Sequence, residues 1–337
     1  MALRVGQYMA HRTRSNKQIK LFQNIEFSDT VRVMTPLPTL RQLTYLAALA
    51  RRRSFSHAAE DCLVSQSTLS AGIRELERLL GAEVVDRSGK GFALTALGED
   101  VLARAKDILA RAEDLARAAD AGGMALSGPV RLGVIPTISP FVLPQTLPQV
   151  QADYPELKLY LREDLTAALV QRLLAGELDL ILMAFPYEAE GIDQLDLGED
   201  AFLLAARPDN PLFSKKKLSV DRLEGEPVLL LEDGHCLRDH AIDACRLRDL
   251  GAARAYEATS LLTLTYMAAG GLGVTLLPQM AVRAGMAEAA GLKVARFRPP
   301  EPTRHIGLAW RKGSNRRRDA LALAPYLVRA LAPESED

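Results

Sequence analysis

The stretch Val64-Ser65-Gln66-Ser67-Thr68-Leu69-Ser70-Ala71-Gly72-Ile73-Arg74-Glu75-Leu76-Glu77 decides how the first part of this chain folds. Ser65 is a good cap, Leu69, Ile73, Leu76 and Leu80 recur at helical spacing, and Gly81 supplies a stop. The opposite side carries Gln66, Ser67, Thr68, Ser70 and Arg74. Upstream, Leu40, Leu43, Leu46, Ala47 and Ala50 form another helical stripe. After Arg51-Arg52-Arg53, Ser54 and Ser56 can cap a short helix whose inner side holds Ala58, Ala59 and Leu63, with Cys62 as a core residue. Three short helices with tight joints, the third polar on its outer side, describe a helix-turn-helix.

Working outward, residues 84–94 put two extended apolar runs around the turn Arg87-Ser88-Gly89-Lys90-Gly91, which reads as a β-hairpin wing. Thr95 then caps a helix rich in Ala, Leu and Arg that runs to about residue 121. Val101, Leu102, Ala105, Ile108, Leu109, Ala112, Leu115 and Ala116 line one side of it. No segment just before or after it can bury that stripe, so a partner copy of the helix is expected, with packing on the chain's own effector domain as the alternative. A recognition helix needs short polar groups near its N-terminus, and Gln and Arg can grip purine edges with two bonds. Ser65, Gln66, Ser67, Thr68, Ser70 and Arg74 fit base readout; Arg87, Lys90 and the triple Arg51 to Arg53 suit phosphates. Each alone is an ordinary solvated side chain. In this order and spacing they read as a DNA-binding surface.

Gly122-Gly123 and Ser127-Gly128-Pro129 mark a hinge. Beyond it, apolar runs at residues 130–135, 157–161, 178–184, 202–206, 228–231, 274–277, 293–297 and 306–310 alternate with helical segments. That pattern predicts a largely parallel α/β sheet, large enough for two lobes around a cleft. Lys plus Arg and Asp plus Glu both total 42, so DNA contact must rest on a local patch. No apolar run is long enough to span a membrane. With 3 cysteines in 337 residues there is no disulfide scaffold, and a reducing cytoplasm is the expected setting. The first 33 residues are basic and lack the apolar core of a secretory signal; they read as a disordered extension, with a phosphate-tracking arm as the alternative.

A second constellation is Glu232-Asp233-Gly234-His235-Cys236-Leu237-Arg238-Asp239-His240, followed by Ala241-Ile242-Asp243-Ala244-Cys245. Cys236 is expected at a helix N-terminus with His235 and Arg238 nearby, each favouring the thiolate that attacks peroxide. A second thiol can convert the resulting sulfenic acid to a disulfide. Nine helical residues span about 13 Å, whereas a disulfide needs Cα atoms within about 7 Å. Cys236 and Cys245 can therefore bond only if the segment between them refolds. Two other readings stay open on these residues: both cysteines as small buried hydrophobes, or a metal site from His235, Cys236, His240 and Cys245, although that spacing matches no common zinc pattern.

The stretch from Leu40 to Leu97, with Phe55-Ser56-His57-Ala58-Ala59, Val64-Ser65-Gln66-Ser67-Thr68-Leu69-Ser70 and Leu76-Glu77, resembles the DNA-binding domain of LysR-type transcriptional regulators. The run Gly234-His235-Cys236-Leu237-Arg238-Asp239, with Ile135-Pro136-Thr137, Thr259-Ser260-Leu261 and Ile306-Gly307-Leu308, resembles the OxyR subgroup, which senses hydrogen peroxide. The resemblance implies a winged helix-turn-helix, a dimerising linker helix and a two-lobed effector domain similar to periplasmic binding proteins. It implies Cys236 as the peroxidatic cysteine and Cys245 as the resolving one. His235, Thr137 and Thr166 would hold peroxide and its water, Arg304 would support the thiolate, and Asp239 would assist proton movement. The chain has Ser67 where the family usually has Pro, Ala96-Leu97 where a Pro-Ala pair is usual, and His240 where the subgroup often has Gln.

Domains are expected at residues 1–37 (disordered extension), 38–95 (winged helix-turn-helix), 96–124 (linker helix) and 125–330 (effector domain). The expected partners are promoter DNA, hydrogen peroxide, RNA polymerase, a cellular dithiol reductant and further copies of the chain as dimer and tetramer. The resemblance implies a cytoplasmic activator of oxidative-stress genes that uses no cofactor, metal or membrane and is not an enzyme. Two alternatives are a regulator answering to a small organic effector in the inter-lobe cleft, and a thiol peroxidase.

Overall fold

The computed structural model describes residues 37–87, 92–119, 125–214, 218–245 and 257–332. The expected N-terminal extension up to residue 36 and the wing residue Lys90 lie outside them.

The first module is built on α1 (Leu40–Arg52), α2 (Phe55–Asp61) and α3 (Gln66–Leu80). Leu46, Leu49, Leu69, Ile73 and Leu76 are wholly buried at their junction. Gly72 is required where α3 meets α1, because a Cβ there would sit 2.6 Å from the Tyr45 ring. Ser54 and Ser65 cap α2 and α3 by accepting from the His57 and Thr68 amides, and Gly81 stops α3 at φ 69°. Leu63 departs from expectation: it lies past the end of α2 at φ 53° and is 92% exposed. The wing consists of β1 (Val85–Asp86) and β2 (Ala93–Leu94), paired antiparallel.

α4 (Ala96–Ala119) follows, with Thr95 Oγ1 accepting from the Gly98 amide. Its apolar stripe is partly covered within the chain, by the effector domain as the alternative reading has it and also, unexpectedly, by the first module. Leu102 and Ala105 are buried in the core that α1 contributes to, and Ala110 is buried against Gly176. Ile108 and Leu115 remain exposed. The split follows from helix length: 24 residues reach from the first module to the effector domain.

The effector domain runs β3 (Gly128–Val134), α5 (Ser139–Asp153), β4 (Leu157–Glu163), α6 (Thr166–Leu174), β5 (Leu180–Phe185) and β6 (Ile192–Ala206). It continues with β7 (Val228–Leu231), α7 (Cys236–Ala244), β8 (Glu257–Ala258), α8 (Leu261–Ala269) and β9 (Val274–Pro278). The last elements are α9 (Gln279–Arg283), α10 (Met286–Ala289), β10 (Lys293–Ala295), β11 (Thr303–Arg311) and α11 (Arg317–Leu331). Strand order is β4-β3-β5-β11-β6-β9-β7-β8, with β10 also on β6.

Each expected apolar run forms a strand, but the sheet is mixed rather than largely parallel. β3 is parallel to β4 and β5, and β7 to β8 and β9, as helical crossovers require. β11 runs antiparallel to β5 and β6, and β6 to β9 and β10. The first half of β6 pairs with β11 and the second half with β9, so this strand passes from one lobe to the other. Buried strands of either direction are apolar throughout, so their composition conceals the reversal.

Candidate functional site

On α3 the sequence places Gln66, Ser67, Thr68 and Arg74 on the exposed face, with Ser70 half-buried beside them. Ser65 Oγ is within 2.9 Å of Ser67 Oγ and 2.8 Å of Thr68 Oγ1, a hydroxyl cluster at the helix start. Arg74 reaches Ser70 Oγ at 3.3 Å and keeps most of its donors free. Arg87 has another partner as well: Nη2 and Nη1 donate to the buried Glu77 carboxylate at 2.7 and 3.2 Å. Glu77 also accepts from the amides of Val84 and Val85, so it ties α3 to the wing. Arg51 and Arg52 both grip Asp61. These internal bonds were invisible in the sequence, where each arginine read as a phosphate contact.

The cysteine site lies between the lobes. Ile135, Pro136, Thr137, Leu165, Thr166, His235, Cys236 and Leu237 line a pocket of about 10 Å³. The residues come from the starts of α5, α6 and α7, and no side chain caps any of these three helices. Their aligned dipoles favour negative charge in the pocket, and at α7 the Leu237 amide favours a thiolate at Cys236.

Arg304, at the start of β11, is wholly buried below this pocket. Its Nη1 donates to Thr137 Oγ1 at 3.0 Å and its Nη2 to the Thr137 carbonyl at 3.1 Å. Because guanidinium can only donate, the Thr137 hydroxyl proton stays free for another acceptor. Asp200 balances the arginine, with Oδ2 3.0 Å from Nη2, while its Oδ1 accepts from the Met280 amide. The Thr166 hydroxyl is buried against the pocket without a hydrogen-bond partner of good geometry. It is nonetheless near enough to the Cys236 sulfur to favour a thiolate.

Burial raises the Cys236 thiol above its ordinary value; Arg304, the Thr166 hydroxyl and the Leu237 amide pull it back down, and Asp239 opposes them. This corrects the expectation that His235 and Arg238 supply the favourable charge. His235 is buried and its pKa is lowered by that burial, so at neutral pH it is uncharged. Arg238 points elsewhere, donating to the Leu231 carbonyl, Glu257 and Asp233. The cation that faces the sulfur is Arg304, which is 68 positions further along the chain. Asp239 lies on the exposed side of α7, outside the pocket lining.

Cys236 is the first residue of α7 and Cys245 is its C-cap, at opposite ends of one continuous helix. Both thiols are free, and Cys245 is 2% exposed. Burial pushes its thiol up to about 12. The four side chains weighed as a metal site do not converge: among the described residues no three His, Cys, Asp or Glu side chains are placed to hold an ion. No helix among them is long and apolar enough to cross a membrane.

Residues 40–99 match the bacterial regulatory helix-turn-helix protein model of the lysR family, and residues 124–332 match the LysR substrate binding domain. The chain is 40% identical over 282 residues to the HTH-type transcriptional regulator EstR of Acinetobacter baylyi, covering 83% of this chain and 93% of that one. It is 38% identical over 280 residues to the DNA-binding transcriptional dual regulator OxyR of Escherichia coli, covering 82% and 90%. Among solved structures, a full-length Cys-to-Asp variant of Pseudomonas aeruginosa OxyR superposes with a TM-score of 0.73 at 34% identity, covering 87% and 98%. A Cys-to-Ser variant of Corynebacterium glutamicum OxyR with hydrogen peroxide bound gives 0.59 at 35%, covering 88% and 94%. With both of its modules matched and relatives aligned over most of its length, the chain belongs to the LysR-type transcriptional regulators, in their OxyR subgroup.

Proposed function

We propose that this protein senses hydrogen peroxide through a reversible Cys236–Cys245 disulfide and controls oxidative-stress genes by changing its grip on promoter DNA. The observation that carries the reading is one arrangement. Cys236 faces a small pocket bordered by Thr137 and Thr166, with the Arg304 charge acting on its sulfur, while Cys245 is sealed at the far end of the same helix.

A pocket of about 10 Å³, room for roughly one water, is far smaller than the roughly 300–1,000 Å³ typical of organic ligand sites. It suits a molecule little larger than water. Hydrogen peroxide needs both donors and acceptors; Thr137 has its hydroxyl proton free, and Thr166 Oγ1 has no partner. The Cys236 thiolate attacks one peroxide oxygen, the O–O bond breaks, and hydroxide leaves as water after taking up a proton. His235 borders the reacting oxygens, and Asp239 exchanges protons with solvent one helical turn away. Arg304 and the three helix starts stabilise the charge that develops.

Once α7 opens, the Cys245 sulfur attacks the sulfenic acid, the S–O bond breaks and a second water leaves. The two thiols have then lost two electrons and hydrogen peroxide has become two waters. A cellular dithiol returns the electrons by thiol–disulfide exchange. Each oxidation consumes the reduced form once, so the protein acts as a signal carrier and not as an enzyme.

The proposed DNA contacts are Ser65, Gln66, Ser67, Thr68, Ser70 and Arg74 in the major groove, with Arg87 and Lys90 on phosphates. In this reading the chain works in the cytoplasm as a dimer or tetramer alongside RNA polymerase. The domain limits are those expected from the sequence: 1–37, 38–95, 96–124 and 125–330.

The test is to add about one equivalent of peroxide to the reduced protein and map its disulfides by peptide mass spectrometry. A rapid Cys236–Cys245 bond, lost in Cys236→Ser, supports the reading. Two free thiols would overturn it. Sustained peroxide turnover with a dithiol donor and no salt-sensitive DNA affinity would instead assign a thiol peroxidase.

A further inference from the structure

His240 lies one helical turn beyond Cys236 on α7, inside the eight-residue segment that separates the two cysteines. It is 8% exposed, and its Nε2 is 3.0 Å from the carbonyl oxygen of Pro186. A carbonyl can only accept, so Nε2 carries the proton and donates it. Pro186 directly follows β5 in the first lobe, whereas α7 follows β7 in the second. The bond therefore crosses between lobes. No side chain at position 186 makes it, since the acceptor is main chain.

We propose that His240 is a positioning residue for the redox switch: through Nε2 it latches α7 of the reduced protein to the Pro186 carbonyl, and disulfide formation must release that latch. This rests on the Cys236–Cys245 disulfide proposed above. The same helix cannot keep both its ends about 13 Å apart and join them through sulfur. Residue 240 sits in the part that has to move, so its bond to the other lobe opposes the movement.

A second observation indicates how firmly the latch holds. Nδ1 of His240 is buried and has no partner. Burial keeps the imidazole neutral, with Arg304 acting in the same direction against Asp239, Asp243 and the Pro186 bond. A neutral ring with Nε2 protonated leaves Nδ1 as an orphan acceptor whose desolvation offsets part of what the Nε2 bond contributes. The latch is accordingly weak enough for one disulfide to break, yet strong enough to bias the reduced state. A glutamine could offer an N–H to the same carbonyl; an alanine could not.

The experiment equilibrates the full-length protein and its His240→Ala and His240→Gln variants with mixtures of reduced and oxidised dithiothreitol, and reads the Cys236–Cys245 disulfide by mass spectrometry. Oxidation of the two thiols transfers two electrons to the oxidised dithiothreitol. His240→Ala should shift the equilibrium about tenfold toward the disulfide, making the potential about 30 mV more negative. His240→Gln should stay within about threefold of the native protein. Circular dichroism and DNA affinity of the reduced variants check that they fold.

A native disulfide with an unchanged equilibrium in His240→Ala would overturn the latch and leave the sensing reading standing. Equal shifts in the Gln and Ala variants would also overturn it, because the hydrogen bond would then not be the cause. No disulfide in the native protein would remove both proposals together.

Discussion

Arg304 and Asp200 form an ion pair at 3.0 Å between Nη2 and Oδ2, with side-chain exposures of 0% and 2%. The aspartate does two jobs through its two oxygens, one on the arginine and one on the Met280 amide. The arginine in turn holds both oxygen atoms of Thr137. One buried charge pair thus joins β6, β11, the start of α9 and the pocket wall.

Removing either partner leaves the other buried and uncompensated, at a cost of roughly 3–5 kcal/mol. Arg304→Ala should lower stability by that order and also slow Cys236 oxidation more than tenfold, since the thiolate loses its cation. Asp200→Asn should destabilise without slowing oxidation, because Arg304 then exerts more of its charge on the sulfur. Chemical denaturation and stopped-flow peroxide kinetics separate the two effects. Equal slowing in both variants would show that Arg304 acts only on the fold.

Cys245 gives a prediction with a defined pH window. Its thiol is pushed from an ordinary 9.0 up to about 12 by burial. Between those values the unfolded chain has released its proton while the folded chain still holds it. Stability is therefore unaffected below about pH 9 and falls as pH rises toward 12, by on the order of 4 kcal/mol for this group. Tyr326, also raised to about 12, adds to the slope at the upper end. Comparing native protein with Cys245→Ala isolates the cysteine: the variant should lose stability less steeply between pH 9 and 11 in urea titrations.

Much of this was legible in the sequence because local pattern carried it. Helical spacing at Leu69, Ile73 and Leu76, the Ser65 cap and the Gly81 stop placed α3. The run from Gly234 to Asp239 placed Cys236 at a helix start. What stayed hidden depended on distant partners. Nothing near Arg87 announces that Glu77 will occupy it, and nothing near Cys236 separates Arg304, which faces the sulfur, from Arg238, which does not. The β6 and β11 reversals were equally concealed, because buried antiparallel and parallel strands share one composition.

The two arginines of the DNA module should respond differently to substitution. Arg74 is exposed and tied only to Ser70, so Arg74→Ala should leave the melting temperature unchanged and cost about 1–3 kcal/mol of operator affinity. Arg87 braces the wing through Glu77, so Arg87→Ala should melt earlier as well as bind less tightly. Its loss leaves a mostly buried carboxylate with only two amides. Fluorescence anisotropy across a salt series, with thermal melts of each variant, reads both quantities. An Arg74→Ala protein that binds every duplex as tightly as before would remove α3 from the proposed readout.

The exposed remainder of the α4 stripe predicts where two copies meet. Ile108 and Leu115 are 45% and 74% exposed and seven residues apart, hence on nearly the same side of the helix. Leu102 and Ala105 are already buried by the chain itself. Leu115→Glu should therefore weaken self-association by at least tenfold, as two buried charges oppose each other across the seam, while the monomer fold is unaffected. Leu102→Glu should instead unfold the first module. Sedimentation equilibrium distinguishes the two: a smaller but folded Leu115→Glu species supports the α4 interface, and an unchanged assembly would place the contact on another surface.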